Sequence, residues 1–92
     1  ELLYRHSAIE DAAVVAMPDP RLGERGCAFV TLRDGTSLDF KTMVEYLIEG
    51  GLIKQYLPER LEVIDSFPRT PSGKIQKFKL RSWAETLSPA QV

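Results

Sequence analysis

The chain has 92 residues, 43% of them hydrophobic and 27% charged, and its formal net charge is −1. That length allows one small domain with a modest core, and the composition is that of an ordinary globular domain. One cysteine, Cys27, and one histidine, His6, exclude a disulfide framework and a zinc-ligand cluster, so no metal site is predicted. No apolar run approaches the ~20 residues that span a bilayer, and no signal-peptide pattern opens the chain, so we expect a cytoplasmic protein.

The N-terminal residues 1–6 have the pattern of the end of an amphipathic helix, with Leu2, Leu3 and His6 near one face. No initiator methionine and no N-cap residue precede them, so we expect a segment of a longer chain. His6 has no catalytic partner residues in the sequence. We therefore expect this histidine at a helix end or on the surface.

Two β-strands are predicted next. Residues 12–17 form a continuous apolar run ended by Pro18, which is typical of a strand buried on both faces. Residues 18–24 are rich in proline and glycine and predict a loop. Residues 27–32 form a second β-rich run, which a turn signal at 34–35 closes.

Two residues of this region are candidates for chemistry. Cys27 lies inside an apolar run, which favours a small buried hydrophobic residue over a nucleophile. Glu24 follows Gly23 at the end of the predicted loop. A structural carboxylate in a turn is the favoured interpretation of Glu24, and a functional carboxylate is the alternative.

A helix and a third strand follow. Thr36 and Asp39 have the spacing of a capping box, with aspartate in place of the usual glutamate. Apolar residues then recur at helical spacing and predict a helix that buries them in the core: Phe40, Met43, Val44, Leu47 and Ile48. A pair of glycines at 50–51 ends this helix. Residues 60–65 alternate in part between apolar and charged side chains, which predicts the third strand.

The segment 68–77 reads Pro-Arg-Thr-Pro-Ser-Gly-Lys-Ile-Gln-Lys, and its prolines, serine and glycine prevent regular structure before Lys74. Gly73 can adopt a positive φ at no steric cost. The pattern predicts a turn that carries Lys74 at an exposed, mobile loop tip. The helix that follows is expected to hold the base of this loop.

The final helix is predicted from apolar side chains on one face: Phe78, Leu80, Trp83, Ala84 and Leu87. Trp83 is expected to dock this helix on the core rather than to bind a ligand. The pair Ser88-Pro89 ends the helix, and the residues after it are expected to fray. Three strands and about three helices indicate an α+β domain.

Basic residues concentrate around the predicted loop. From Arg69 to Arg81 there are five lysines and arginines and no aspartate or glutamate, which leaves seven basic residues against 13 acidic ones elsewhere. Such a basic face suits an anionic partner, such as a nucleotide or a coenzyme phosphate. For Lys77, Lys79 and Arg81 a solvated helix face is the equal alternative.

The segment 68–77 resembles the C-terminal signature P-x-T-x-S-G-K-[IV]-x-[RK] of adenylate-forming enzymes, specifically of bacterial acyl-CoA synthetases. The matching positions are Pro68, Thr70, Ser72, Gly73, Lys74, Ile75 and Lys77. Further segments follow the family's order and spacing at 11–19, 23–24, 28–30 and 57–61. The resemblance therefore covers nearly the whole chain. It fails at the pair Gln55-Tyr56, where relatives often carry an aromatic residue followed by lysine.

The resemblance implies a small three-stranded sheet flanked by helices, with residues 1–92 as the C-terminal lid domain of a two-domain synthetase. A large N-terminal domain would precede Glu1 and bind ATP, the acyl group and most of the Mg²⁺, so the fragment alone is expected to be inactive. The implied reaction activates a fatty, short- or medium-chain, or alicyclic acid as acyl-AMP. The acyl group is then transferred to coenzyme A.

The same resemblance assigns roles to residues of the loop. It implies that Lys74 is catalytic and contacts the carboxylate, the ribose and the bridging oxygens during adenylation. Rotation of the lid then withdraws this lysine before the thioester forms. Ser72, Gly73 and Lys77 are implied to take part in cofactor binding.

Other functions fit the sequence less well. A P-loop is excluded because Pro68 stands where its first glycine would be, and because Ile75 follows Lys74 in place of serine or threonine. The lid of a peptide-synthetase adenylation domain usually reads Asn-Gly-Lys-Val-Asp-Arg, and a luciferase-type oxygenase usually ends in a peroxisomal signal. A nucleic-acid-binding module would need interleaved aromatic residues or a pI well above 5.8, so no nucleic-acid partner is expected. Acetylation of Lys74 is a regulatory alternative, because it would remove the charge that adenylation needs.

Overall fold

The computed structural model describes residues 2–19 and 23–86. The strands are β1 (Ile9–Asp19), β2 (Gly23–Leu32) and β3 (Arg60–Val63). The α-helices are α1 (Phe40–Glu49) and α2 (Lys77–Glu85), and short 3₁₀ helices lie at Leu3–Arg5 and Lys54–Tyr56. The predicted α+β fold, a small three-stranded sheet flanked by helices, is confirmed. None of the described helices is long and apolar enough to cross a membrane.

The central strand of the sheet is β2. It pairs antiparallel with β1, with Val15 opposite Cys27, and parallel with β3, with Cys27 opposite Arg60. The antiparallel pair is a hairpin, whereas the parallel pair requires a crossover, which α1 and the segment after it supply. Both neighbours of β2 are therefore edge strands.

Each face of the sheet buries its own apolar cluster. On one face, side chains of β1 and β2 pack against α2 and the segment after β3: Ala13, Val15, Met17, Cys27, Phe29, Phe67, Leu80 and Ala84. On the other face they pack against α1 and the N-terminal 3₁₀ helix: Leu3, Ile9, Ala12, Ala28, Val30, Met43 and Leu47. Because successive strand residues point to opposite faces, the continuous apolar runs of the sequence supply both clusters.

Strand β1 is longer and less buried than its sequence predicts. It includes Pro18 and Asp19, and β2 begins at Gly23, so the predicted loop at 18–24 is wrong at both ends. Residues 20–22 lie outside the described residues. Proline is tolerated here because β1 is an edge strand. The prediction of burial on both faces is also wrong after residue 13. There one face of β1 is exposed, with Val14 at 44%, while Val15 and Met17 on the other face are buried.

Helix α1 is capped by a different residue from the one predicted. Its N-cap is Asp39, whose Oδ1 accepts a hydrogen bond of 2.7 Å from the backbone N–H of Thr42. Thr36 instead donates from Oγ1 to the carbonyls of Ala8, at 3.1 Å, and of Arg33, at 2.7 Å. The capping-box prediction is therefore wrong, because a tertiary contact occupies the threonine.

The apolar face of α1 is also narrower than predicted. Met43 and Leu47 are buried, whereas Phe40 and Ile48 are 44% and 53% exposed at the two ends of the helix. The prediction that the whole apolar stripe belongs to the core is therefore wrong for these two residues. A short helix lying on a three-stranded sheet buries only its central turns.

The carboxylate of Asp39 makes the stability of α1 depend on pH. The hydrogen bond from the Thr42 backbone lowers the pKa of Asp39, so its stabilising contribution is present above the ordinary aspartate pKa of about 4 and is lost as the pH falls through the lower folded-state value. We expect Asp39→Asn, which keeps an acceptor but cannot titrate, to weaken this loss on acidification. Chemical unfolding of both proteins between about pH 6 and about pH 2 measures it. Identical pH dependence in the two proteins would contradict the assignment.

Strand β3 ends sooner than predicted. The sequence predicts a strand over 60–65, but pairing with β2 stops at Val63, which lies opposite Val30. The backbone N–H of Ile64 still donates to the carbonyl of Val30 at 2.9 Å. The chain then leaves the sheet, and the side chain of Ile64 packs against the cluster under α2.

Helix α2 docks through fewer residues than predicted. Leu80 and Ala84 are fully buried, and the ring of Trp83 lies edge-on to that of Phe29 with centroids 6.2 Å apart. This contact confirms that Trp83 docks the helix, although the ring remains 41% exposed. Phe78 is 59% exposed, so its predicted place in the core is wrong. The predictions for Leu87 and for Ser88-Pro89 lie outside the described residues.

The prediction that Cys27 is a buried hydrophobic residue is confirmed, since the residue is fully buried between β1 and β3. Burial, with a smaller contribution from the charge of Glu62, raises the pKa of the thiol from 9.0 to about 11. We therefore expect the folded protein to react with a thiol reagent at about pH 8 only as fast as it unfolds. Rapid labelling without denaturant would contradict this. The Cys27→Ala variant, which has no thiol, is the control for any signal of the reagent that does not come from Cys27.

Candidate functional site

The signature segment, residues 68–77, forms a tight hairpin rather than an open loop. Arg69 and Ile75 face each other as an antiparallel bridge, and the Thr70 N–H donates to the Lys74 carbonyl at 2.8 Å. At the tip, the Gly73 N–H donates to the Thr70 carbonyl at 2.8 Å. The predicted turn is therefore present, but the base of this signature hairpin is closed by a β-bridge as well as by the helix that follows.

Glycine is required at position 73 by the backbone. Its φ is +94°, a conformation that costs a residue with a side chain roughly 1–2 kcal/mol. The turn is completed by hydroxyl groups. Thr70 Oγ1 accepts a hydrogen bond from the Lys74 N–H at 3.2 Å and lies 2.9 Å from Ser72 Oγ. Ser72 and Gly73 therefore shape the loop beside Lys74.

Lys74 is exposed, and in the described part of the chain its ammonium group has no hydrogen-bond or ion-pair partner. The backbone of the same residue is held on both sides, by Thr70 Oγ1 at the N–H and by the Thr70 N–H at the carbonyl. A fixed backbone with a free, solvated cation can be presented to an anion outside the domain. This is the chemical capability of the site.

Lys77 lies three residues further on, as the first residue of α2, and is exposed. It borders a concave region of about 350 Å³ whose other lining residues come from the N-terminal 3₁₀ helix, β1 and the signature hairpin: Leu3, Tyr4, Ala12, Ala13, Val14 and Ile75. Lys79 and Arg81 are also exposed on α2. The structure thus keeps the predicted basic segment at the surface, beside the hairpin.

One contact of the site could not be predicted from sequence. The guanidinium of Arg69 donates from Nη1 to the Gly73 carbonyl at 2.7 Å and from Nη2 to Asp11 Oδ2 at 2.5 Å. Asp11 lies on β1, 58 residues away in the chain. No local pattern relates two residues so far apart, and only the fold brings them together.

The other candidates do not join the hairpin. Nδ1 of His6 accepts a hydrogen bond from the Ala8 N–H at 3.0 Å, and its ring lies edge-on to that of Tyr46. These contacts give His6 a structural role. The backbone of Glu24 lies in β2, but its side chain is not among those described, so its role stays a prediction. Across residues 2–19 and 23–86, no group of three histidine, cysteine, aspartate or glutamate residues could hold a metal ion.

Known proteins are similar to this chain in sequence. A medium-chain fatty-acid–CoA ligase of Escherichia coli K12 is 48% identical over 82 residues, which are 88% of this chain and 14% of that protein. A 2,3-dihydroxybenzoate-AMP ligase of Bacillus subtilis 168 is 43% identical over 79 residues, 86% of this chain and 14% of that protein. The chain thus spans about a seventh of the length of these relatives.

Solved structures of known proteins are similar to this chain in fold. The crystal structure of a Brucella canis acyl-CoA synthetase superposes with a TM-score of 0.78 at 35% identity, over 90% of this chain and 16% of that one. ATP-bound MatB from Rhodopseudomonas palustris superposes with a TM-score of 0.84 at 26% identity, over 91% and 16%. Residues 1–74 match the family described as AMP-binding enzyme C-terminal domain. The chain therefore belongs to the AMP-binding enzyme C-terminal domain family of the adenylate-forming enzymes.

Proposed function

We propose that this chain is the C-terminal lid domain of an ATP-dependent acid–thiol ligase. A large N-terminal domain of the same protein would bind ATP and the carboxylic acid, and the whole protein would act in the cytoplasm. The acid would be activated as acyl-AMP and its acyl group transferred to coenzyme A. The observation that carries the proposal is the exposed cation of Lys74 on a fixed backbone, within a chain of this family.

Lys74 would act in the adenylation step. When the carboxylate attacks the α-phosphate, negative charge gathers on the attacking oxygen, the phosphoryl oxygens and the departing pyrophosphate. A preorganised cation delivered there stabilises this charge, and electrostatic stabilisation of this kind is often the largest single contribution to catalysis. The ammonium group of Lys74 has no ion-pair partner among the described residues. It therefore breaks no ion pair with these residues when it binds the nucleotide.

We also propose supporting roles for the neighbours of Lys74. Ser72 and Gly73 would bring the backbone of the turn close to the nucleotide, because neither residue has a large side chain. Lys77, exposed at the start of α2, would attract a phosphate group of ATP or coenzyme A. Since no metal site is found among residues 2–19 and 23–86, the Mg²⁺ that accompanies ATP would be held by the large domain.

Two acid classes are supported by relatives. The 48% identity to a medium-chain fatty-acid–CoA ligase supports an aliphatic acid with coenzyme A as acceptor. An aryl acid is the second candidate, because the 2,3-dihydroxybenzoate-AMP ligase of Bacillus subtilis is 43% identical and the vibriobactin-specific 2,3-dihydroxybenzoate-AMP ligase of Vibrio cholerae is 38% identical. The aliphatic acid is the proposal. The acyl pocket that would decide between them belongs to the large domain.

The test uses the full-length protein and a panel of acids. Pyrophosphate release is measured with aliphatic acids of increasing length and with hydroxybenzoic acids, and thioester formation is then measured with coenzyme A. We expect aliphatic acids to support both reactions. Pyrophosphate release with aryl acids alone, without a coenzyme A thioester, would favour the second candidate. Release with neither class would contradict both.

A further inference from the structure

The position of Lys74 is tied to the sheet by a second side chain. Arg69 Nη1 donates to the Gly73 carbonyl at 2.7 Å, and this carbonyl belongs to the peptide unit whose nitrogen is that of Lys74. The other terminal nitrogen, Nη2, bonds Asp11 Oδ2 at 2.5 Å. The guanidinium thus connects the tip of the hairpin to β1.

Asp11 attaches the hairpin to the sheet directly after an irregularity in the pairing of β1, between Ile9 and Asp11. It lies in β1, where it is paired with Thr31 of the central strand. The hydrogen bonds within the hairpin fix only its internal shape, through Thr70 and Lys74. The side chain of Ile75 packs against the cluster between the sheet and α2 and so holds the base of the hairpin. The contact with Asp11 adds a polar connection that reaches the tip, so it restrains the direction in which the hairpin points.

We propose that Arg69, held by Asp11, positions Lys74 for adenylation; the proposal rests on the function proposed above. Arginine suits this role because its planar fork donates in two directions at once, to a carboxylate and to a carbonyl. The side chains of Arg69 and Asp11 are 39% and 30% exposed, so solvent screens their attraction and the contact adds little to the stability of the fold. Its effect is on orientation.

Orientation has a large effect on rate in a step that depends on placing one cation. A displacement of about 1 Å of a catalytic group can cost on the order of 10²-fold. Without the guanidinium, the Gly73–Lys74 peptide unit keeps its internal hydrogen bonds but loses its polar connection to β1, while Ile75 still holds the base of the hairpin. The cation then samples more directions, and fewer of them meet the transition state.

The test compares Arg69→Gln, Asp11→Asn and their combination in the full-length protein. Arg5→Gln is the control, because Arg5 is exposed and makes no described side-chain contact. We expect kcat for pyrophosphate release to fall about tenfold in either single variant, with little change in KM for ATP. The double variant should fall no further than the more affected single one, since both changes break the same connection.

A second readout does not depend on activity. Endoproteinase Lys-C cleaves after Lys74 only when the hairpin opens, and none of these substitutions adds or removes a lysine. We expect the rate of cleavage between Lys74 and Ile75, followed by mass spectrometry, to rise several-fold in the Arg69 and Asp11 variants and not in the control.

The outcomes separate this role from the proposed function. Reduced kcat together with faster cleavage supports positioning by Arg69. Faster cleavage with unchanged kcat shows a purely structural contact and overturns the role, as does no change in either quantity while Lys74→Ala is inactive. If Lys74→Ala itself keeps full pyrophosphate release, the proposed function fails, and the positioning role fails with it.

Discussion

Lys74→Ala in the full-length protein is expected to lower the rate of pyrophosphate release from acid and ATP by a factor on the order of 10²–10³. The expected loss is that of one preorganised donor to a developing negative charge. Thioester formation from preformed acyl-adenylate and coenzyme A is expected to continue at nearly the original rate, because the proposed lid would withdraw Lys74 before that half-reaction. Separate assays of the two half-reactions measure both rates.

Lys41→Ala is the matched control, since Lys41 is an exposed lysine on α1, away from the signature hairpin. It removes the same charge from the domain and is expected to leave both half-reactions intact. Equal losses in both half-reactions of Lys74→Ala would point to a damaged fold instead of a missing cation. If both half-reactions survived, the hairpin would be only a turn, and the proposed role of Lys74 would be wrong.

Leu80→Ala is expected to give the largest loss of stability, about 2–5 kcal/mol in the free energy of unfolding. Leu80 is fully buried under α2, so its truncation loses apolar contact and leaves a cavity against the sheet. Small domains are stable by only roughly 5–15 kcal/mol, so the loss is a large part of the total. Denaturant unfolding measures it, followed through Trp83, the only tryptophan of the 92-residue chain.

Phe78→Ala supplies the comparison on the same helix. Its ring is 59% exposed, so truncation is expected to change the free energy of unfolding by roughly 0.5 kcal/mol or less. The comparison also tests the corrected orientation of α2, because the sequence pattern places both residues in the core. A loss from Phe78→Ala as large as that from Leu80→Ala would mean that the helix docks with a different face.

Much of the fold could be predicted from local patterns. The apolar runs of β1 and β2 locate two strands, since a strand buried by helices on both sides of a sheet needs apolar residues throughout. Local patterns could not predict how much of each strand and helix is buried. Val14 and Phe40 are apolar yet 44% exposed, because the elements packed on the sheet are short.

The errors at element ends have a common cause. Thr36 fails as a helix cap because its hydroxyl bonds the Ala8 carbonyl, 28 residues away. The third strand stops at Val63 although β2 continues to Leu32, because the chain leaves the sheet there and packs Ile64 against the cluster under α2. Tertiary contacts decide such boundaries, and a local pattern does not contain them.

In the candidate site, too, the features set by local sequence could be predicted and the long-range contacts could not. The turn chemistry of Pro71, Ser72 and Gly73 is enough to indicate an exposed lysine, and the positive φ of Gly73 agrees with it. The sequence predicts a mobile tip, but the bridge between Arg69 and Ile75 closes the base of the loop. The contact of Arg69 with Asp11 leaves no trace in local sequence, because it depends on where the chain returns in space.

The mixed pairing of the sheet has a consequence for how the domain folds. The hairpin of β1 and β2 joins neighbouring segments, and hairpins form in roughly 1–10 μs. Parallel pairing of β2 with β3 must close a loop of about 30 residues around α1 before any contact rewards it, so it is expected to come later. The signature hairpin follows β3 in the chain and uses Asp11 of β1 as its anchor. We therefore expect the attachment of the signature hairpin to β1, and with it the placement of Lys74, to be the last native contact to form and the first to be lost.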